Sequence, residues 1–172
     1  MLAYLGLGSN LGSRLSNLQA AVNFLDLRAG RVLRVSSVYE TEPMYVVDQP
    51  SFLNAAAELS TDLHPERLLE TVKAIEAEIG RQPRERYGPR EVDIDLLVML
   101  DCENSVVRVQ SDRLTLPHPH IAERVFVLQP LSELGDIPIN AAGDTAHSAL
   151  NLCSKEFSIR RHEDGVLSIH SD

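Results

Sequence analysis

Between residues 2 and 100 the apolar residues change spacing in the order strand, helix, strand, strand, helix, strand, and few folds accommodate that order. Residues 2–8 read as a short strand ending at Gly6 and Gly8. Ser13 can cap a helix whose apolar positions Leu15, Leu18, Ala21, Val22 and Leu25 recur at helical spacing, with Gly30 as the stop. A Val-rich second strand is expected over 31–40, a loop over 41–51 and a third strand over 52–60. On that third strand Phe52, Asn54 and Ala56 share one face, and Leu53, Ala55, Ala57 and Leu59 the other. Pro65 suits the first turn of a helix reaching Ile79, with Leu68, Leu69, Val72 and Ile75 in its stripe and Gly80 at its end. A strand over 91–100 completes the set. The pattern predicts an α+β fold with a ferredoxin-like βαββαβ core, a mostly antiparallel sheet with helices on its faces, and extra β/α elements.

The extra elements are a hairpin within 101–116 returning through Arg113-Leu-Thr-Leu, a helical stretch over 121–134 and a short helix over 144–153. The tail alternates on both sides of Asp164-Gly165, which predicts a terminal hairpin within about 154–172. No repeat or linker interrupts the chain, and residues 1–172 are expected to form a single domain.

A net charge of −9 argues against general nucleic-acid binding, which depends on cationic surface. No stretch approaches the roughly 18 uninterrupted apolar residues of a membrane span. The N-terminus lacks a signal-peptide pattern, and Cys102 and Cys153 lack disulfide or zinc spacing, so a reduced cytoplasmic setting is expected.

Against that acidic background, Arg81, Arg84, Arg86 and Arg90 crowd one loop, and Asp93 and Asp95 follow at once. Residues i and i+2 of a strand share a face about 6.6 Å apart, close enough to hold one divalent ion or bracket two. Carboxylates beside guanidinium groups suit a metal–polyphosphate ligand, with the metal on the acids and phosphate oxygens on the arginines. Arg113, Thr115, His118 and Arg124 add a polar cluster downstream. His118 is better suited to contact phosphate or base than to bind zinc, and His120 reads as structural or surface. Phe52, Asn54, Tyr87 and Phe126 are able to form an apolar slot for a planar heterocycle, although Phe52 and Phe126 also read as core. The segment Gly6-Leu-Gly-Ser-Asn-Leu-Gly12 matches neither a dinucleotide fingerprint nor a Walker loop. It reads either as a tight connection in which Ser9 and Asn10 bond backbone, or as backbone lining for a ligand.

With these motifs in order, the chain resembles the 6-hydroxymethyl-7,8-dihydropterin pyrophosphokinases of folate biosynthesis over nearly its whole length. The matching stretches include 6–12, Ser-Ser-Val-Tyr-Glu-Thr-Glu-Pro at 36–43 and Gln-Pro-Ser-Phe-Leu-Asn-Ala-Ala at 49–56. They continue with Tyr-Gly-Pro-Arg-Glu-Val-Asp-Ile-Asp at 87–95, Leu-Thr-Leu-Pro-His-Pro at 114–119 and Glu-Arg-Val-Phe-Val-Leu-Gln-Pro-Leu at 123–131. The resemblance implies transfer of pyrophosphate from ATP to the pterin hydroxymethyl group with two Mg2+ ions. It places the metals on Asp93 and Asp95, with Arg81, Arg84, Arg86 and Arg90 in catalysis. It places the pterin on Thr41, Pro43, Met44, Phe52, Asn54, Tyr87 and Phe126. ATP falls to Glu76, Arg90, Leu96, Arg113, Thr115, His118 and Arg124. Tyr87 stands where some members carry Trp, and Pro119 where others carry Tyr. A monomer is expected, with no nucleic-acid or membrane partner. Two other readings remain at this point, a metal-dependent nucleotidyltransferase and a non-catalytic pterin- or nucleotide-binding module; the first is disfavoured by the long separation of Asp93 from Gly8-Ser9.

Overall fold

The computed structural model describes residues 1–44, 48–83, 88–153 and 158–169. Its elements are β1 (Leu2–Ser9), α1 (Arg14–Arg28), β2 (Arg31–Val35), β3 (Tyr39–Thr41), β4 (Phe52–Ser60), α2 (Pro65–Ile79) and β5 (Asp93–Leu100). A small hairpin follows, β6 (Val109–Gln110) with β7 (Thr115–Leu116), then α3 (Val125–Ser132), α4 (Ala146–Leu152) and β8 (Ile159–Arg161). The main sheet runs β5-β1-β4-β3-β8, with β2 also on β4, and every pairing is antiparallel. Counting β2 and β3 as one broken strand, this is the ferredoxin-like order expected for β-α-β-β-α-β.

Two apolar layers sandwich the sheet, because strand side chains alternate between its faces. Leu5, Leu7, Leu53, Leu59 and Ile94 pack against Leu18 and Leu25 of α1 and Leu68 and Ile75 of α2. Tyr4, Ala56, Leu97 and Leu100 face Leu128 and Leu131 of α3 and Ala146 of α4. Gly80, in the left-handed conformation, ends α2 as expected.

The structure corrects the sequence reading in three places. Ser13 occupies the N-cap position of α1, but its side chain makes no capping bond. The strand expected over 31–40 is two strands, β2 and β3, separated at Ser36. There the Ser36 amide donates to the Ala56 carbonyl at 2.9 Å, while the Ala56 amide donates to Ser36 Oγ at 2.8 Å. A hydroxyl has taken the place of a backbone carbonyl, so the ladder breaks without leaving the Ala56 amide unpaired. The tail does turn near Asp164, but β8 pairs with β3 and residues 166–169 lie in no strand, so it does not form a hairpin with itself.

A further irregularity positions the functional site. Tyr4 pairs with Val98 and Leu5 with Leu96, so Leu97 is an extra residue opposite β1. Such a bulge re-aims side chains and releases backbone groups from the ladder. Leu97 and Val98 both join the α3 side, and the Leu97 carbonyl accepts the His118 amide at 2.8 Å.

Candidate active site

The β1–β4 and β1–β5 registers set Gly8 between Asn54 and Asp93, and Gly6 between Ala56 and Asp95. Cross-strand neighbours on one face are close enough to form a continuous floor. A methyl group at Gly8 would sit 3.5 Å from Asn54 Oδ1 and 3.9 Å from Asp93 Cβ. Gly8 therefore leaves open the space between the Asn54 amide and Asp93, whereas a methyl group at Gly6 would meet the Leu97 side chain at 3.5 Å. Over this floor lies a cavity of about 430 Å3, walled also by Thr41, Met44, Phe52, Arg124 and Phe126.

Polar contacts orient the floor. Asn54 Nδ2 donates to Thr41 Oγ1 at 2.8 Å. Arg90 stands with its guanidinium carbon 5.7 Å from the Phe52 ring centroid, and Arg124 at 5.8 Å from that of Phe126. Two guanidinium–aromatic pairs thus flank the apolar part of the cavity, within the range of a cation–π contact. Arg90 lines the cavity, and its Nε is buried without a hydrogen-bond partner.

Asp93 is gripped by two arginines: Arg81 Nη1 lies 2.5 Å from Oδ1 and Arg90 Nη1 2.8 Å from Oδ2. Desolvation opposes its charge, but Arg90 and Arg81 outweigh it and hold the Asp93 carboxyl below the usual range. Asp95 has the opposite surroundings. Burial, and next the Asp93 charge, push it up to about 6, against the pull of Lys73 and Arg124. Two adjacent carboxylates with only one neutralised by guanidinium groups form a site short of positive charge. Among the described residues no cluster of three or more His, Cys, Asp or Glu side chains could hold a metal by itself. Two oxygen donors at an open cavity fit Mg2+, which keeps waters and takes phosphate oxygens rather than a full protein cage.

Below the wall, Glu76 is 3% exposed and its Oε1 accepts the Ile94 amide at 2.7 Å. The same oxygen pairs with Lys73 Nζ at 2.9 Å and Arg81 Nη1 at 2.7 Å. Glu76 thereby locks α2 to β5 between the two aspartates and aims two cations at the cavity.

His118 lines the cavity, and its Nδ1 accepts the His120 amide at 3.3 Å. Burial, then the Arg124 charge, lower its pKa to about 4. The ring is neutral near pH 7, and with Nδ1 an acceptor the proton sits on Nε2 as a donor. The sign follows from an unfolded value near 6.5: stability is lost as pH falls from about 6.5 toward 4. An NMR titration of the ligand-free protein is expected to show the His118 ring unprotonated down to about pH 5. A midpoint at 6 or above would contradict this environment.

Of the residues singled out from sequence, the cavity gathers Thr41, Met44, Phe52, Asn54, Arg81, Arg90, Asp93, Asp95, His118, Arg124 and Phe126. Pro43, Leu96, Arg113 and Thr115 do not line it; Leu96 is core, and Arg113 is an exposed partner of Glu70. Arg84, Arg86 and Tyr87 lie outside the described residues. His120, expected to be structural or surface, lines the cavity while half exposed.

Sequence reasoning missed Lys73, which lines the cavity from α2. Its signal was the three-residue spacing to Glu76 on one helical face. It read Asn10 only as a turn residue, and the turn bonding is there: Ser9 Oγ donates to the Glu91 carbonyl at 2.6 Å. Asn10 reaches further. Its Oδ1 accepts the Arg90 amide at 2.7 Å, and its Nδ2 donates to Gln49 Oε1 at 3.1 Å and to the Pro50 carbonyl at 3.0 Å. One buried amide therefore ties the segment before Phe52 to the segment carrying Arg90.

A sequence model described as 7,8-dihydro-6-hydroxymethylpterin-pyrophosphokinase (HPPK) matches residues 4–136. The 2-amino-4-hydroxy-6-hydroxymethyldihydropteridine pyrophosphokinase of Bacillus subtilis is 45% identical over 134 residues, 77% of each chain. That of Methylorubrum extorquens is 44% identical over 150 residues, covering 86% of this chain and 90% of the relative. Other relatives are longer: the mitochondrial folate synthesis bifunctional protein of Pisum sativum is 44% identical, but the match spans 24% of its length. In fold, Plasmodium falciparum HPPK-DHPS superimposes with a TM-score of 0.65 at 15% identity, over 88% of this chain and 44% of that one.

Proposed function

The chain belongs to the 7,8-dihydro-6-hydroxymethylpterin-pyrophosphokinase family, and on that premise we propose how its cavity carries out the reaction. The protein transfers pyrophosphate from ATP to the hydroxymethyl group of 6-hydroxymethyl-7,8-dihydropterin, giving the dihydropterin diphosphate and AMP, a step of folate biosynthesis. The observation that carries the residue assignment is the Asn54–Gly8–Asp93 row, which sets a heterocycle slot directly beside the carboxylates.

In this reading the pterin ring lies between Phe52 and Phe126, read along its edge by Asn54 and Thr41, with Met44 at the slot's margin; Pro43 and Tyr87 are assigned to the pterin by the family resemblance alone. Its hydroxymethyl group then points along the row toward Asp93 and Asp95. These two aspartates would hold Mg2+, two ions on this reading, and the metal would supply charge neutralisation on the phosphate oxygens and the attacking hydroxyl. Arg81, Arg90 and Lys73 orient the triphosphate and offset charge at the transferred group, and Arg84 and Arg86 join them. Neutral His118 donates from Nε2 to an ATP oxygen or base nitrogen, with Arg124 beside it. Arg113, Thr115 and Leu96, which do not line the cavity, are assigned to the nucleotide by the family resemblance alone, and Glu76 acts by holding Lys73 and Arg81. Ordering both substrates in one concave site excludes water, so ATP is not spent on hydrolysis.

Mg2+ dependence, a single domain over 1–172, a monomeric state and a cytoplasmic location belong to the same proposal. No described helix is long and apolar enough to cross a membrane. The deciding assay follows AMP release from ATP. AMP should form only when the hydroxymethyl dihydropterin is present, stop on chelation and return with added Mg2+. Pterin-independent AMP formation, or turnover that persists in excess chelator, would refute it.

A further inference from the structure

The C-terminal segment from 158 to 169 lies beyond residue 136, where the family match ends, and it lines no part of the cavity, yet it is paired to a strand that does. Strand β8 pairs with β3 in the register Ile159 with Thr41, Arg160 with Glu40 and Arg161 with Tyr39. Thr41 faces the cavity and accepts from the Asn54 side-chain amide, so β8 is hydrogen-bonded to the strand that supplies one of the proposed pterin contacts.

Glu40 points the other way and joins three segments. Arg160 donates to Glu40 Oε2 from Nη2 at 2.5 Å and Nε at 3.1 Å. Arg14 of α1 donates to Glu40 Oε1 at 2.9 Å and, from the same Nη1, to the Ser51 carbonyl at 2.7 Å. Ser51 immediately precedes Phe52. The hydrogen bond from Arg160, opposed by burial and aided by Arg14, holds the Glu40 carboxyl below the usual range, so it is charged at neutral pH. The chain of contacts runs from the tail through Glu40 and Arg14 to the backbone that presents the Phe52 ring.

The rest of the segment is docked closely. The His162 amide donates to the Val38 carbonyl at 2.8 Å, and Leu167 is buried in the α1 side of the core. Ser168 exchanges two 2.8 Å hydrogen bonds with the Gln19 side chain. A Cβ on Gly165 would fall 2.7 Å from Val38 Cβ, so no larger residue fits there without lifting the tail.

We propose that the C-terminal strand is a positioning element for pterin recognition, with Arg160 acting through Glu40 and Arg14 to hold Thr41 and Phe52 in their binding geometry. This rests on the assignment of Thr41, Phe52 and Asn54 to the pterin. Arg160 does not line the cavity, and exposed ion pairs contribute little to global stability, so its loss should register in binding geometry rather than in unfolding.

The test uses the full-length chain with Arg160→Ala, Arg160→Lys, Gly165→Val and Asn54→Ala, each confirmed as folded by circular dichroism. Arg160→Ala and Gly165→Val are expected to raise KM for the dihydropterin about 3- to 10-fold while KM for ATP stays within about twofold, with Arg160→Lys restoring much of the loss. Asn54→Ala must also raise the pterin KM. If Asn54→Ala does and the two tail variants do not, the positioning role is wrong and the pterin assignment stands. If Asn54→Ala has no effect, the pterin assignment fails and the inference with it. Equal increases in both KM values would show general loosening of the fold and overturn the inference.

Discussion

Asp95→Asn is expected to lower turnover by about three orders of magnitude or more while leaving the metal-free protein at least as stable as the parent. The two halves of this expectation have one cause. Burial and the adjacent Asp93 charge push the Asp95 carboxyl up to about 6, which marks a charge kept where the apoprotein alone does not favour it. A carboxyl whose folded value lies above its unfolded value near 3.8 contributes stability that is fully present below about 3.8 and lost as pH rises through about 6. At pH 8 the wild-type apoprotein therefore carries this group at a cost, and the neutral amide removes it. What the variant loses is the negative oxygen donor for Mg2+, and with it charge stabilisation of the reacting phosphates. Steady-state turnover and a thermal melt in chelator measure the two halves. Turnover within about tenfold of wild type would end the metal assignment, and a much lower melting temperature would show that Asp95 is structural instead.

Glu76→Ala should be the most damaging single change to stability among residues at the site, by about 2–4 kcal/mol. Its carboxylate is almost wholly buried and serves the Ile94 amide, Lys73 and Arg81 at once. Truncation strands a buried amide in the middle of the Asp93–Asp95 strand and leaves Arg81 with Asp93 alone. In a chain of this size that amounts to a fall of roughly 5–15 °C in melting temperature. Glu76→Gln keeps an acceptor for Ile94 and is expected to lose about half as much. An alanine variant that melts within about 2 °C of wild type would show that water replaces the carboxylate, and that Glu76 does not set the strand's position.

The fold and site were unequally legible in the chain. Strand and helix positions followed from side-chain periodicity, and both faces of β4 were assigned correctly because alternation depends only on pleat geometry. Asp93 and Asp95 do share a cavity face for the same reason. The break at Ser36 was hidden, because it arises from a hydroxyl accepting an amide from a strand about twenty residues away. The bulge at Leu97 was also hidden, since a continuous apolar run looks the same with or without an extra residue. The tail's alternation was visible, but not that its partner would be β3 rather than itself. Nor did spacing reveal that Asn10 joins segments 39 to 80 residues away.

The amino-acid order by itself determined which segments would be strands and helices, that Asp93 and Asp95 would point the same way, and that cations would stand near them. Those properties come from backbone geometry and short-range spacing, which act within a few residues. Only the tertiary structure decided that Gly8 would open the gap between Asn54 and Asp93, that Asp95 rather than Asp93 would be left short of counter-charge, and that the C-terminal strand would brace Thr41. Each depends on which distant segments pair and in what register. Register is settled when the whole sheet buries its two faces together, not by any one strand.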